Sequence, residues 1–440
     1  MLVCVLFIAL YGEKHYARED FAYAIASTPQ NAFYFVDQKN QNAPLIDQTK
    51  QAQFAEQYLT HYFMPWQLSK HYPFFYIKKA VIDNYHYYFF HPGFGINHLR
   101  NSDTWLKKVY HNADIKDFPN TFVHAITVQN TDIRVLPTNQ PIFDSFEKAG
   151  QGYPFDDLET TSLAANTPVL ILQTTKDKAW SYIVTNNSDG WVPSPAVAVV
   201  DDNFIARFKT KNFIVLTQNH VVITDEHHVM QFTAGIGKIL PELTNKQAVN
   251  KNHVEVLIAV SDSEHRAVLK KAWISSDKTK SWPIAMTQFN IATMMNAMLG
   301  TKYTWGGMNG GSDCSLTTMN LFSSFGIWLP RHSSLQADMG KQITLSKLSH
   351  SQKKKIIVEQ GVPFATVLYM PGHIQTYLGE KKGVIYVFQT VWGVHSENVL
   401  LEPARAKIGK TIISKVDLGA GDINVKKTWL DRITKMTRLI

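Results

Sequence analysis

The rhythm of apolar and polar positions changes four times along the chain, and each change marks the start of a new unit. Met1 to Leu10 are almost wholly apolar, too short to cross a bilayer but long enough for the core of an export signal. Residues 21–118 are dense in aromatics, as in Tyr62-Phe63-Met64-Pro65-Trp66 and Tyr85-His86-Tyr87-Tyr88-Phe89-Phe90-His91, without a clean period. Such a stretch predicts an irregular, partly helical cap. Residues 119–200 turn to short β-branched runs separated by turn residues: Thr127-Val128, Ile133 to Leu136, Pro168 to Thr174, Trp180 to Thr185, and Gly190 to Pro193. A small β-barrel is the expectation there. A second series, Phe213 to Thr217, Val221 to Thr224, Val254 to Val260 and Ala267 to Ile274, predicts another barrel over 201–283. From 284 to 440 the pattern runs helix first and strands later, as in an α+β unit. The chain therefore reads as an α+β multidomain protein, with 1–20 as a signal segment ahead of four units.

Composition adds limits. The 440 residues, 45% of them hydrophobic and 12% aromatic, suffice for several buried cores and leave no long disordered tract. A formal charge of +8 arises from 44 basic against 36 acidic residues, without a long basic block. Nucleic acid is not an expected partner. Lys353-Lys354-Lys355 reads as a short solvated run, and no later segment is long and apolar enough for a membrane helix. The histidines of the cap lack metal-ligand spacing, so neither metal nor other cofactor is expected. Oligomeric state is not legible.

The chemistry gathers around one of the two cysteines. Cys4 lies in the export-like segment, which leaves Cys314 without an intramolecular disulfide partner once that segment is removed. Tyr303 to Ser315 runs into Leu316, Met319, Phe322 and Phe325, which share one helical face, with Ser312 or Asp313 as N-cap and Gly326 as stop. Cys314 then sits in the first helical turn, where free N–H groups and the helix dipole favour a thiolate. The glycines ahead of it fit neither phosphate-loop fingerprint and read as room for a substrate chain to approach the sulfur. A thiolate needs a proton partner. Ile374 to Leu378 and Val384 to Phe388 flank a predicted five-residue hairpin loop, a register that places His373 directly opposite Gln389. Gln389 would orient the imidazole, with His395 as the alternative third residue.

Tyr-x-Trp-Gly-Gly at 303–307, Asp313-Cys314-Ser315, Leu329-Pro330-Arg331-x-Ser333-x-x-Gln336 and Pro371-Gly372-His373 resemble the NlpC family of papain-like cell-wall cysteine peptidases. Arg134-x-Leu136-Pro137-Thr138 with Trp180 and Gly190-Trp191-Val192 is similar to the bacterial SH3-like barrels that precede this domain, and Phe63-x-Pro65-Trp66 to the N-terminal cap. The resemblance implies hydrolysis of the γ-D-glutamyl-L-diamino acid amide of peptidoglycan stem peptides through an acyl-enzyme on Cys314, in the periplasm or cell envelope. It implies that Asp313 and Ser315 hold the N-terminal alanine and that Tyr303, Trp305 and Ser333 line the pocket. Glu159 and Trp191 are the candidates for the first barrel's part in the cleft. Two positions depart from the family pattern: Gln389 stands where His is usual, and Leu316 where a small residue follows Asp-Cys-Ser. A non-catalytic binder of cell-wall peptide and an amidase or acyltransferase with the same nucleophile are the competing readings.

Overall fold

The structure, a computed structural model, describes residues 23–243, 252–397, 403–422 and 424–440. The export-like segment lies outside the described residues. Among those residues, no helix is long and apolar enough to cross a membrane.

Three helices dominate the cap: α1 (Gln48–Tyr62), α2 (Phe75–Phe90) and α3 (Asp103–Ala113). Asp47 caps α1 by accepting from the Lys50 N–H at 2.8 Å. The absence of a clean period has a physical cause in α2. Val81, Tyr85 and Tyr88 are buried, while Phe75, Tyr76, Tyr87 and Phe90 on the remaining faces stay exposed. The cap is tied to both of its neighbours by buried polar groups. Gln51 donates to the Ile284 and Phe325 carbonyls at 2.6 and 3.1 Å, and Trp66 Nε1 donates to the Ala125 carbonyl at 2.7 Å.

The first β-unit is a seven-stranded antiparallel sheet of β1 (Val123–Thr127), β2 (Thr131–Arg134), β3 (Glu159–Leu163), β4 (Pro168–Thr174), β5 (Trp180–Val184), β6 (Asp189–Pro193) and β7 (Val197–Val199), in the order β3-β2-β6-β5-β4-β1-β7. After α4 (Asp202–Phe208), a second unit holds β8 (Phe213–Leu216), β9 (Val221–Asp225), β10 (Met230–Ala234), β11 (Ile239–Pro241), β12 (His253–Ser261), β13 (Ala267–Ser275) and β14 (Thr279–Trp282). These form sheets β10-β9-β13-β12 and β11-β8-β14 around a core of Ile214, Leu216, Ile223, Phe232, Val256 and Ile274.

The last unit begins with α5 (Gln288–Met298), α6 (Cys314–Ser323) and the single turn α7 (Ser333–Gln336). β15 (Lys341–Thr344), α8 (His350–Gln360), β16 (Thr366–Met370), β17 (His373–Lys381), β18 (Val384–Glu397), β19 (Pro403–Lys415), α9 (Trp429–Arg432) and β20 (Lys435–Arg438) complete it. Its six strands run β15-β20-β16-β17-β18-β19. Helix α6 packs on this sheet through Leu321 and Phe322, fully buried in one core with Phe325, Ile374, Leu378 and Phe388. Truncating a buried Phe here would cost about 3–5 kcal/mol.

The β17–β18 hairpin corrects the sequence reading. Lys381 pairs with Val384 across a two-residue turn, because Lys382 and Gly383 both take positive φ, the requirement of a type I′ turn. A bulge between Tyr377 and Gly379 absorbs one residue, after which Thr376 faces Phe388. Continued outward, this register sets His373 level with Val391 and diagonal to Gln389. The shift from the predicted register is an even number of residues, so both side chains keep the same sheet face. The lysine run is also corrected. Lys353 is buried, and its ammonium donates to the carbonyls of Leu430, Asp431 and Ile433 at 3.0, 2.8 and 2.7 Å. Those carbonyls sit at the end of α9, where a cation satisfies groups the helix leaves unpaired.

Candidate active site

Asp313 is the N-cap of α6, its Oδ1 accepting from the Leu316 N–H at 2.9 Å, which leaves Cys314 as the first helical residue. The carboxylate has further partners. Ser315 Oγ donates to Oδ1 at 3.2 Å, and Arg331 closes an ion pair on Oδ2. Arg331 also donates to Ser315 Oγ at 2.6 Å and, from Nε, to Thr161 Oγ1 at 2.7 Å on β3. One buried guanidinium thus fastens the start of the cysteine helix to the first β-unit. A chain of hydroxyls anchors the same helix to the sheet: Ser312 to Thr317 at 2.7 Å, Thr317 to Thr390 at 2.6 Å, and Thr390 to Thr411 at 2.7 Å.

The glycines before Cys314 do not open a path for substrate, as the sequence had suggested. Gly306 and Gly307 take φ of 67° and 86° and press against protein. A Cβ on Gly306 would lie 2.5 Å from Glu159 Cγ, and one on Gly307 would lie 2.3 Å from Leu316 Cδ2. Leu316 therefore fills the space beneath Gly307, and the two positions fit as a pair.

His373 opens β17, and its Nε2 stands 2.6 Å from Gln389 Oε1. Gln389 Nε2 donates to Ser414 Oγ at 2.8 Å, and the amide oxygen faces the ring. Nε2 of the imidazole accordingly carries the proton, and Nδ1 keeps its lone pair. The start of β17 lies against the cysteine helix, so the N–H of Ile374, the residue after His373, favours the Cys314 thiolate. Cys314 and His373 line one cleft of about 540 Å³.

Burial disfavours the charged form of both groups. Burial pushes the Cys314 thiol up to about 11, with Asp313's charge adding and the Ile374 N–H, Arg331 and the Ser315 N–H opposing. Burial likewise pushes His373 down to about 4, against the hydrogen bond that its Nε2–H donates to Gln389, while Arg432 lowers it further and Asp313 raises it. The helix-terminal field that favours a thiolate is outweighed by desolvation. Such a pair transfers its proton as the sulfur attacks: the lone pair on Nδ1 takes the thiol proton, and the first-turn N–H of Cys314 is available to a developing oxyanion.

The remaining sequence candidates separate into two groups. Tyr303 and Trp305 line the cleft beside the sulfur, where burial raises the Tyr303 phenol well above its ordinary range. With Trp392 and Phe155 they form an aromatic wall, Phe155 lying 5.4 Å from Trp305 and 5.7 Å from Trp392 between ring centres. Phe155 belongs to the loop between β2 and β3, and it is through this loop, which also brings Asp144, Gly150, Gln151 and Asp157, rather than through Glu159 or Trp191, that the first β-unit reaches the cleft. Trp191 is only 1% exposed and packs on Tyr182 in that unit's core. Glu159 is buried beneath Gly306 with Arg134 Nη1 at 3.3 Å. That guanidinium is already closer to Asp156, at 2.8 Å, and burial with nearby Asp132 pushes Glu159 up to about 9. Ser333 is half-buried at the start of α7, and like Asp313 and Ser315 it is not among the cleft's lining residues. His395 does line the cleft, beside Arg405 and Arg432, without a hydrogen bond to His373. Sequence reasoning gave no role to Arg331, Phe155, Trp392, Arg405 or Arg432; only Arg331 was marked, by the Leu-Pro that precedes it.

The NlpC/P60 family model matches residues 300–393, the stretch that carries the cysteine, the histidine and the glutamine. This chain carries an NlpC/P60 domain. Ahead of that domain, residues 1–118 match the N-terminal stabilising domain of NLPC_P60 proteins, and residues 141–193 match an SH3 domain of the SH3b1 type. A solved NlpC/P60 endopeptidase from Photobacterium damselae subsp. piscicida is 28% identical, over 94% of this chain and 97% of that one, with a TM-score of 0.83. An NlpC/P60 family protein from Bacillus cereus ATCC 10987 is 15% identical, over 72% of this chain and 99% of that one, with a TM-score of 0.49. No curated protein sequence matches the chain.

Proposed function

We propose that this chain hydrolyses the γ-D-glutamyl-L-diamino acid amide of peptidoglycan stem peptides through an acyl-enzyme on Cys314, in the periplasm or cell envelope. The observation that carries the reading is the cleft itself, where a cysteine at a helix start and a histidine oriented by Gln389 sit together in an NlpC/P60 domain. In the first step the Cys314 sulfur bonds to the scissile carbonyl carbon and its proton moves to His373 Nδ1. That proton then passes to the departing amine as the C–N bond breaks. Water attacks the thioester, giving a proton to His373 and returning the thiol.

The bond assignment rests on the family resemblance and on the likeness to the Photobacterium endopeptidase. Alanine recognition by Asp313 and Ser315 would have to act around Arg331, which already holds both side chains. Mass spectrometry of a digest of L-alanyl-γ-D-glutamyl-diamino acid tests the assignment. Release of the dipeptide and the free diamino acid is the expected result; cleavage only between alanine and glutamate, or an intact tripeptide, would overturn it.

A further inference from the structure

The cleft that holds Cys314 is also lined by two arginines, Arg405 on β19 and Arg432 at the end of α9, together with His395. Elsewhere the fold is strict about buried guanidinium groups. Arg134 and Arg331, the two most deeply buried arginines among the described residues, are each paired with a carboxylate, the first with Asp156 and the second with Asp313. Arg405 and Arg432 are half-buried; burial lowers both, and Arg432 stands close enough to lower Arg405 further. Neither has an ion-pair partner among the described residues. Among the described residues, the Arg405 guanidinium donates only to the neighbouring Ala404 carbonyl, at 3.1 Å.

Topology concentrates the charge further. Arg405 stands directly opposite His395 in the β18–β19 ladder, where burial and then the Arg405 and Arg432 charges push the histidine down to about 4. Lys407, two residues on, lies over the Trp392 ring at 4.4 Å. The facing loop of the first β-unit presents Gly150 to the Arg405 guanidinium, its absent Cβ 3.6 Å from Nη2. The cleft's two carboxylates, Asp144 and Asp157, belong to that same first-unit wall. Asp157 is raised to about 6 by burial and by Asp144 and Asp156, with no arginine offsetting them. Positive charge is thus collected at one end of a peptide-sized cleft and has no counter-charge among the described residues.

The end in question is the leaving-group end. Trp429 lies 6.2 Å from the His373 ring, and Arg432, three residues along the same helical turn, lowers the His373 pKa by its charge. His373 is the group that protonates the departing amine, so the residue attached to that amine must extend toward Trp429 and Arg432.

We propose that Arg405 and Arg432 bind the carboxylates of the diamino acid on the leaving side of the scissile amide. The inference rests on the reading of the cleft as a stem-peptide site and adds to it a recognised group: an anionic residue beyond the cut, best satisfied by a diamino acid with a carboxylate at each end, such as diaminopimelate. Two guanidiniums offer planar donor pairs matched to carboxylate oxygens. A carboxylate held there also offsets the positive charge that Arg432 exerts on His373, and so supports the imidazolium formed during attack.

The test uses the full chain with Cys314→Ala, which holds peptide without turnover, and titrates it by calorimetry with three tripeptides. The first is L-alanyl-γ-D-glutamyl-diaminopimelate, the second has the diaminopimelyl carboxylates amidated, and the third is amidated only at the D-glutamyl α-carboxylate. The first and third should bind more tightly than the second by about tenfold or more, the scale of a charge-assisted hydrogen bond. Arg405→Gln with Arg432→Gln should erase that difference while leaving affinity for the second peptide near its original value, which shows that the variant is folded. Equal affinity for all three peptides, no binding, a preference that survives the double variant, or one that follows the D-glutamyl carboxylate would each overturn the proposal. Should the unsubstituted protein cleave none of the peptides while the binding preference holds, the hydrolytic reading fails and the arginine assignment stands.

Discussion

Gln389 presents its amide oxygen to His373 Nε2 at 2.6 Å, and its own amide nitrogen is held by Ser414 at 2.8 Å, so the imidazole's tautomer is set by a neutral residue. A neutral acceptor orients the ring but gives an imidazolium less support than a charged one. Gln389→Ala should lower kcat about 10- to 100-fold with a smaller change in KM, the scale of one hydrogen bond to a charged group. Gln389→Glu should raise the His373 pKa from about 4 and carry the acidic limb of the pH–rate profile upward with it. Steady-state kinetics across pH checks both.

Arg331 holds Asp313 and Ser315 at the start of the cysteine helix and reaches Thr161 in the first β-unit. Arg331→Ala would strand a buried carboxylate and cut the link between the units, at a cost of about 3–5 kcal/mol. Thermal unfolding should show a large drop in Tm. Asp313→Asn with Arg331→Leu should recover part of it, because the orphaned charge is removed from both sides.

Much of this arrangement was legible because it is local. The helix of Cys314 and its Asp313 cap follow from period and turn chemistry over a short stretch, and the structure has them, although the helix ends at Ser323, before Phe325 and Gly326. His373 and Gln389 were found on one sheet face despite a misread turn, since the error in register was even. What escaped the sequence depends on distant chain segments. Nothing near Phe155 announces that its loop will cross to Trp305 and Trp392, and nothing near Lys353 announces three carbonyls from α9. The glycines were misassigned for a related reason: Gly306 is required by Glu159, which comes from a different β-unit far back in the chain.

Glu159 is held neutral by burial and by its acidic neighbours, and its Oε1 has no hydrogen-bond partner. Glu159→Gln keeps the shape and the neutral state, so stability should stay within about 1 kcal/mol of the parent. Glu159→Ala opens a cavity under Gly306 and should cost about 2–4 kcal/mol. Urea unfolding of the two variants separates a structural carboxyl from a ligand-binding one, which would leave stability unchanged in both while weakening peptide binding.

Because burial raises the Cys314 thiol to about 11, its thiolate should appear only as pH climbs toward that value. Alkylation by iodoacetamide should accordingly be slow near neutrality and accelerate steadily with pH. A rate that has already levelled off in mild acid would instead reveal a standing thiolate–imidazolium pair and contradict the neutral resting state.

The central claim is that the Cys314 sulfur forms the bond to substrate. Acid-quenched mixing with the stem tripeptide, followed by peptide mapping, should find the L-alanyl-γ-D-glutamyl group esterified to Cys314, with neither adduct nor turnover in Cys314→Ala. Tripeptide cleavage that continues in Cys314→Ala would contradict the account.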